Sequence, residues 1–352
     1  MSPKRIHYAE TQTDRLSELP PQILSKIISN VRVRDAVSAS VLSSTWKHLC
    51  ASSVSHLDFS MCTMFVTPEN YVEPTMNADN CPQYKDLFIR GVNQFLQFYK
   101  GPQLVSFKVC FCLGRGSASD IDQWVHFALS KAVEELCLDF SCLRFPEEDK
   151  RYRKRSNDLY IFRPVLLYGG DVAKLKLLSL RSCLLRPDFD SILYRCLNLG
   201  SVILQDCRLP VKLRISGAHH CLKSFGIFNC SGMKQIVVSS TSLNSFEYYG
   251  FYVQFSFSAP NLEKISIGAL DRPGAHYIFG KLARDLPQIK TLSIIGYFRW
   301  LKFLPKQVNW FYPFRKVEQL RLYYFPLNEF DIQKMIAILR ACPRLQKFHL
   351  VS

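Results

Sequence analysis

One short pattern recurs along this chain and restricts its fold more than any other feature. Residues 175–185 read LKLLSLRSCLL and residues 199–209 read LGSVILQDCRL. Both fit L-x-x-L-x-L-x-x-N/C-x-L, allowing Val for Leu, with Cys183 and Cys207 in the same slot. Residues 222–230, LKSFGIFNC, repeat it with Cys230 there, and looser copies start at 54, 104 and 133. Later copies read LNSFEYYG, LEKISIGAL, IKTLSIIGY, VEQLRLYYF and LQKFHLVS. The first apolar residue of each strand pair is Leu57, Phe107, Leu136, Leu178, Val202, Phe225, Phe246, Ile265, Leu292, Leu320 and Phe348. From Leu178 onward successive spacings are 24, 23, 21, 19, 27, 28 and 28 residues.

The alternation x-x-L-x-L-x-x sends two apolar side chains inward from a short strand and its neighbours outward. A single unit cannot bury its own apolar edge, so the units stack into a parallel sheet over one continuous core. The Cys slot suits a small, poorly solvated side chain where the chain leaves the strand; later copies hold Leu270 and Phe325 there. The shortest units enclose MKQIVVSSTS and VQFSFSAPN, whose β-branched and aromatic content predicts extended return segments. Helical periodicity predicts helices over 119–132, 188–199 and 328–342, with Asp188 and Asp190 capping the second. Residues 63–103 and 143–174 read as insertions or irregular repeats, the latter carrying the basic run Lys150–Arg155 as a solvated loop.

Of 352 residues, 48% are hydrophobic and 13% aromatic, enough for a large core, and the formal charge is +16. That charge permits phosphate, nucleic-acid or acidic partners without demanding one. No apolar signal segment opens the sequence and no apolar run approaches a membrane span. The expectation is therefore a nuclear or cytoplasmic protein whose thirteen cysteines stay reduced and mostly buried. A search for chemistry finds no G-x-S-x-G, H-E-x-x-H, phosphate loop or dinucleotide fingerprint. GRGSAS at Gly114–Ser119 reads as a turn, His219 and His220 lack metal-ligand spacing, and CFC at Cys110 and Cys112 lacks matching zinc partners. No catalytic residue, metal site or required cofactor is expected, and the stacked sheet reads as a binding surface.

Residues 14–50, DRLSELPPQILSKIISNVRVRDAVSASVLSSTWKHLC, predict three short helices near 20–29, 33–41 and 44–52. So short a segment buries too little to be stable without a partner. It resembles the plant-type F-box, D-R-[LI]-S-x-L-P-x-x-[IL]-L followed by A-V-x-x-S-x-L-S-x-x-W-[KR]-x-L. The positions that carry the resemblance run from Asp14, Leu19 and Pro20 through Ala36, Val37 and Leu42 to Trp46 and Leu49. The remainder is similar to the leucine-rich region of plant F-box/leucine-rich-repeat proteins. Two departures are VRVRD, where relatives carry Leu-Pro, and SST before the Trp, where relatives carry SKR.

The resemblance implies an α/β chain with a three-helix F-box over 12–53 and a leucine-rich-repeat solenoid with a curved parallel sheet over 54–352. About eleven irregular repeats are expected, and the FBD-type extension of many relatives is expected to be absent or truncated. It implies a non-catalytic substrate receptor of an SCF-type cullin–RING ubiquitin ligase, held to the cullin by a Skp adaptor and presenting a target protein for degradation. By the same resemblance Leu19, Pro20, Ile23, Leu24, Ile27, Val37, Val41 and Trp46 face the adaptor or form the F-box core. The outward strand positions Arg181, Gln205, Phe228, Tyr249, Arg321 and Tyr323 are the expected target contacts on the concave face, which Glu247 and Lys264 also line. Some related receptors hold an inositol phosphate or a small hormone, which the charge permits. The rival reading is a basic repeat protein that binds nucleic acid or a phosphate ligand without ligase assembly.

Overall fold

A computed structural model describes residues 19–20, 23, 54–64, 81–101, 103–141, 158–168, 172–217, 221–297, 312–325, 336 and 338–351. Its spine is an eleven-stranded parallel sheet. The strands are β1 His56–Ser60, β2 Ser106–Cys110, β3 Glu135–Asp139, β5 Leu177–Arg181, β7 Ser201–Gln205, β9 Ser224–Phe228, β11 Ser245–Gly250, β13 Lys264–Ala269, β14 Thr291–Tyr297, β15 Gln319–Phe325 and β16 Lys347–Val351. Between them β4 is Tyr160–Phe162, β6 Cys183–Leu185, β8 Lys212–Gly217, β10 Gln235–Ser240 and β12 Gln254–Ser258.

The repeat register read from the sequence is the register of the sheet. Leu57 pairs with Phe107, and the ladder continues residue for residue through Leu136, Leu178, Val202, Phe225, Phe246, Ile265, Leu292 and Leu320 to Phe348. From Leu57 to Leu320 that inward row is at most 2% exposed. Phe348, on the last described strand, is 40% exposed because no described strand lies beyond it. Burying each such side chain contributes about 1.5–3 kcal/mol. No isolated repeat gains this, which is why the units stack.

Each strand ends in a turn whose chemistry is local. Ser182, Asp206 and Asn229 adopt positive φ values of 56, 51 and 51°. Asp and Asn tolerate this left-handed region better than most residues. The following residue is the repeated cysteine. Cys207 Sγ donates to the carbonyls of Gln205 at 3.2 Å and Leu180 at 3.4 Å. Cys230 Sγ donates to Phe228 at 3.4 Å and Leu204 at 3.5 Å, and accepts from the Cys207 amide at 3.3 Å. Each thiol thus adds a weak bond to carbonyls of its own strand and of the preceding one, tying the buried turn to the sheet. Burial first, then the contact with Cys207, holds the Cys230 thiol well above its ordinary range. Eight described cysteines carry no disulfide, whereas Cys112 is disulfide-bonded, which departs from the expectation that all thirteen stay reduced.

The return path changes with unit length. In the short central units β8, β10 and β12 form a second parallel sheet, order β12-β10-β8. An extended chain rises about 3.3 Å per residue and a helix 1.5 Å, so strands close the loop with fewer residues. β10 and β12 were expected as extended segments; β8 was not. Longer units use helices. Ala118–Ser130 matches the expected helix over 119–132, burying Ile121, Trp124, Val125, Ala128 and Leu129. The GRGSAS turn is a 3-10 turn, Arg115–Ser117, leading into it.

The helix expected over 188–199 is shorter, a 3-10 turn Pro187–Phe189 followed by a helix Asp190–Arg195. Neither Asp188 nor Asp190 caps it through its side chain, which corrects that expectation. The 3-10 turn places Phe189 at the N-cap, so the aspartates flank the cap position. Of the helix expected over 328–342, residues 336 and 338–342 are described; 336 and 338–340 are helical, and the helix ends before Ala341 and Cys342.

The two longest helices that were not anticipated lie outside the expected stretches. Cys81–Phe98 lies within the presumed insertion, with Phe88 stacked on Phe111 at 4.3 Å between centroids. Asn93 ties it to the next helix, accepting from Trp124 Nε1 at 2.6 Å and donating to Asp120 at 3.0 Å. The signal was present as Phe88, Val92, Phe95 and Tyr99 at helical spacing. Arg272–Gly280 was also missed, although Asp271 caps it by accepting from the Gly274 amide at 3.0 Å and a proline occupies the first turn. No described helix is long and apolar enough to cross a membrane.

Candidate functional site: the concave face of the sheet

Alternation places three outward rows on the concave side. The row that ends each strand runs Asp139, Arg181, Gln205, Phe228, Tyr249, Gly268, Ile295 and Tyr323 from β3 to β15. Five of the six target positions expected from the sequence therefore form one line across the repeats. Arg321 stands in the middle row, which reads Cys137, Ser179, Ile203, Gly226, Glu247, Ser266, Ser293, Arg321 and His349. Lys264 belongs to the third row, at the strand starts, beside Ser245 and Thr291.

The N-terminal half of this face is cross-linked by charge. Lys108 Nζ lies 3.3 Å from Asp58. Arg181 donates to Asp206 from Nε at 2.9 Å and lies 3.6 Å from Asp139. Asn229 donates to the other Asp206 oxygen at 2.7 Å. Asp139 also accepts from the amide and hydroxyl of Ser141 at 2.9 and 2.6 Å. One guanidinium thus joins β3, β5 and the turn after β7. Arg181 is engaged within the fold rather than held free for a target. On the same half burial pushes the Cys110 thiol up to about 12 and raises the Cys137 thiol, so both are neutral.

The C-terminal half is different. The Phe228 ring lies over Gly226, where a Cβ would stand 2.7 Å from Cε2, and the Tyr249 ring lies over Gly268 on the next strand. The missing glycine side chains leave the space that both rings fill. Ile295 and Tyr323 continue the line, all four half-buried. The floor beside them is small and hydroxylic, with Ser224, Ser245, Thr291, Ser266 and Ser293. Arg321 is exposed and, among the described residues, has no ion-pair partner. Gly226, Gly268 and Ile295 were not singled out from the sequence. Their strand positions were legible, but the seating of rings from the same and neighbouring strands was not.

Of the adaptor-facing positions, Leu19, Pro20 and Ile23 are described. The Ile23 amide donates to the Pro20 carbonyl at 2.9 Å, the first turn of the expected helix, and Ile23 is 49% exposed. Leu24, Ile27, Val37, Val41 and Trp46 lie outside the described residues, as do Lys150–Arg155 and the pair His219 and His220. Among the described residues no cluster of three His, Cys, Asp or Glu side chains could hold a metal ion.

Parallel strands stacked one per repeat, apolar inside and presenting outward rows on a concave sheet, define a leucine-rich-repeat protein. A profile described as the At1g61320/AtMIF1 LRR domain matches residues 188–352, and one for the F-box domain matches residues 16–58. An F-box match ahead of a leucine-rich-repeat match is the arrangement of plant F-box/leucine-rich-repeat proteins, to which the chain is similar. Its relatives in Arabidopsis thaliana include F-box/LRR-repeat protein At3g03360, 27% identical over 66% of this chain and 42% of that protein. F-box/FBD/LRR-repeat protein At2g04230 is 25% identical over 80% of this chain and 53% of that protein. F-box/FBD/LRR-repeat protein At4g00160 is 27% identical over 96% and 72% respectively. The chain spans about half the length of several of the curated relatives it matches.

Proposed function

We propose that this chain is the non-catalytic substrate-recognition subunit of an SCF-type ubiquitin ligase, its F-box binding a Skp adaptor and its concave sheet capturing a target protein. The observation that carries the reading is the pairing of an F-box match over 16–58 with a repeat sheet that begins at His56. An adaptor-binding module thus stands directly ahead of a surface built to bind something else. The exposed Ile23 at the start of the first F-box helix supports an apolar contact with a partner. Leu19, Pro20, Ile23, Leu24, Ile27, Val37, Val41 and Trp46 are proposed to form that contact and its supporting core. The compartment consistent with this role is the nucleus or cytoplasm.

The test is co-precipitation of the full chain with a Skp adaptor. Wild type is expected to bind and Leu19→Ala/Pro20→Ala to lose binding. A folded wild-type chain that retains no adaptor overturns the assignment.

A further inference from the structure

The two halves of the concave face differ in what they leave unsatisfied, and the C-terminal half has the chemistry of a peptide groove. Phe228, Tyr249, Ile295 and Tyr323 form an apolar rail along one side. Four inter-strand steps separate Phe228 from Tyr323, which at about 4.8 Å each make a rail of roughly 19 Å. That is the reach of about six extended residues. The hydroxyls of Ser245, Ser266, Thr291 and Ser293 stand beside it as donors and acceptors for a peptide backbone.

Charge selects the occupant. From β9 to β16 the described outward rows hold Lys264, Arg321 and Lys347 as cations and Glu247 as the carboxylate. Arg321 and Lys347 gather at the β15–β16 end, with His349 beside Arg321, while Glu247 lies near Phe228. We propose that this half-face binds an extended segment of a partner protein, with apolar side chains on the rail and carboxylates over Arg321 and Lys347. The inference rests on the concave face being the target surface and names the target's chemistry. It does not depend on adaptor assembly. Among the described residues the rail runs in a line across five strands, which fits a chain segment better than a compact small molecule. Glu247 in the floor disfavours a continuous phosphate backbone along the same path.

The test uses the purified full chain and fluorescein-labelled dodecapeptides in which net charge and apolar content are varied independently, read by fluorescence anisotropy. Peptides combining Leu or Phe with Asp or Glu are expected to bind best, and a Lys-for-Asp version to bind about tenfold more weakly. Arg321→Glu is expected to abolish or invert that charge preference, and Arg321→Lys to retain it. Phe228→Ser is expected to weaken both charge versions together. Circular dichroism verifies that each variant is folded, and Arg321, on the surface, is a site where substitution leaves the core intact. Equal binding of acidic and basic peptides, no binding of any, or an unchanged preference in Arg321→Glu overturns the proposal. So does a labelled single-stranded RNA that binds more tightly than the peptides and is displaced by none of them. Loss of adaptor binding with the peptide preference intact would instead count against the ligase assignment alone.

Discussion

The two ends of the concave sheet are built from the same repeat and solve opposite problems. On the N-terminal half, charges on successive strands neutralise one another, and Arg181, Asp139 and Asp206 stiffen the stack. On the C-terminal half, aromatic rings lie on glycines and Arg321 stands without an ion-pair partner among the described residues. The difference teaches that outward position alone does not make a binding residue. Arg181 and Arg321 occupy equivalent faces of equivalent strands, yet one is consumed by the fold and the other is available. What separates them is whether a neighbouring repeat supplies a carboxylate.

The comparison can be broken at the core that both halves share. Phe225→Ala, at a fully buried position on β9, is expected to cost about 3–5 kcal/mol. Urea denaturation should show one transition moving to lower concentration. Two separated transitions would mean that the halves fold as independent units.

A smaller effect distinguishes the C-terminal half. Gly268→Ala places a Cβ 2.8 Å from the Ile295 carbonyl and into the Tyr249 ring. The backbone cannot yield cheaply, so a loss of about 1–3 kcal/mol is expected, with a change in Tyr249 fluorescence or NMR environment. An unchanged melting temperature would show that the ring does not rest on the glycine.

On the N-terminal half, Asp206→Ala removes the nearer of the two carboxylates on Arg181 and the acceptor of Asn229, and puts Ala at positive φ. A loss of about 1–2 kcal/mol is expected, and it should shrink as salt rises because screening weakens the pair in the wild type alone. Equal salt dependence of wild type and variant would argue that the network is incidental.

The smallest effect is electrostatic and local. Hydrogen bonding to Lys290, then its charge, lowers the Glu263 pKa. A carboxylate lowered on folding stabilises the fold above its unfolded value, and that contribution is lost as pH falls through the lowered folded value. Lys290→Gln should raise the Glu263 midpoint seen by NMR titration toward the ordinary range with little change in stability, because the pair is exposed. A midpoint unmoved by the substitution would remove Lys290 as the cause.

Much of the architecture was legible because its signal is local. The positions of Leu178, Val202 and Phe225 announce their strands within a few residues of sequence. The Asp and Asn before Cys207 and Cys230 announce the turns. Where the signal competed with an irregular spacing, as for Phe88 and Val92 in the first long insertion, the helix was present in the pattern but masked by the absence of a repeat around it. The expected cap from Asp188 failed because a 3-10 turn precedes the helix and puts the buried Phe189, not an aspartate, at the N-cap.

By itself the sequence determined the register. A two-residue alternation repeated at intervals of 19–28 residues from Leu178 onward admits one pairing of inward rows, since a slip of one residue would turn every apolar side chain to solvent. Only the tertiary structure decided which outward residues remain available. Arg181 and Asp206 are 25 residues apart in the chain, as Tyr249 and Gly268 are 19 apart. Stacking brings them within contact at the strand spacing of about 4.8 Å. Whether a charge finds its counter-charge, or a ring finds a glycine to lie on, is set by what the next repeat happens to present across that gap.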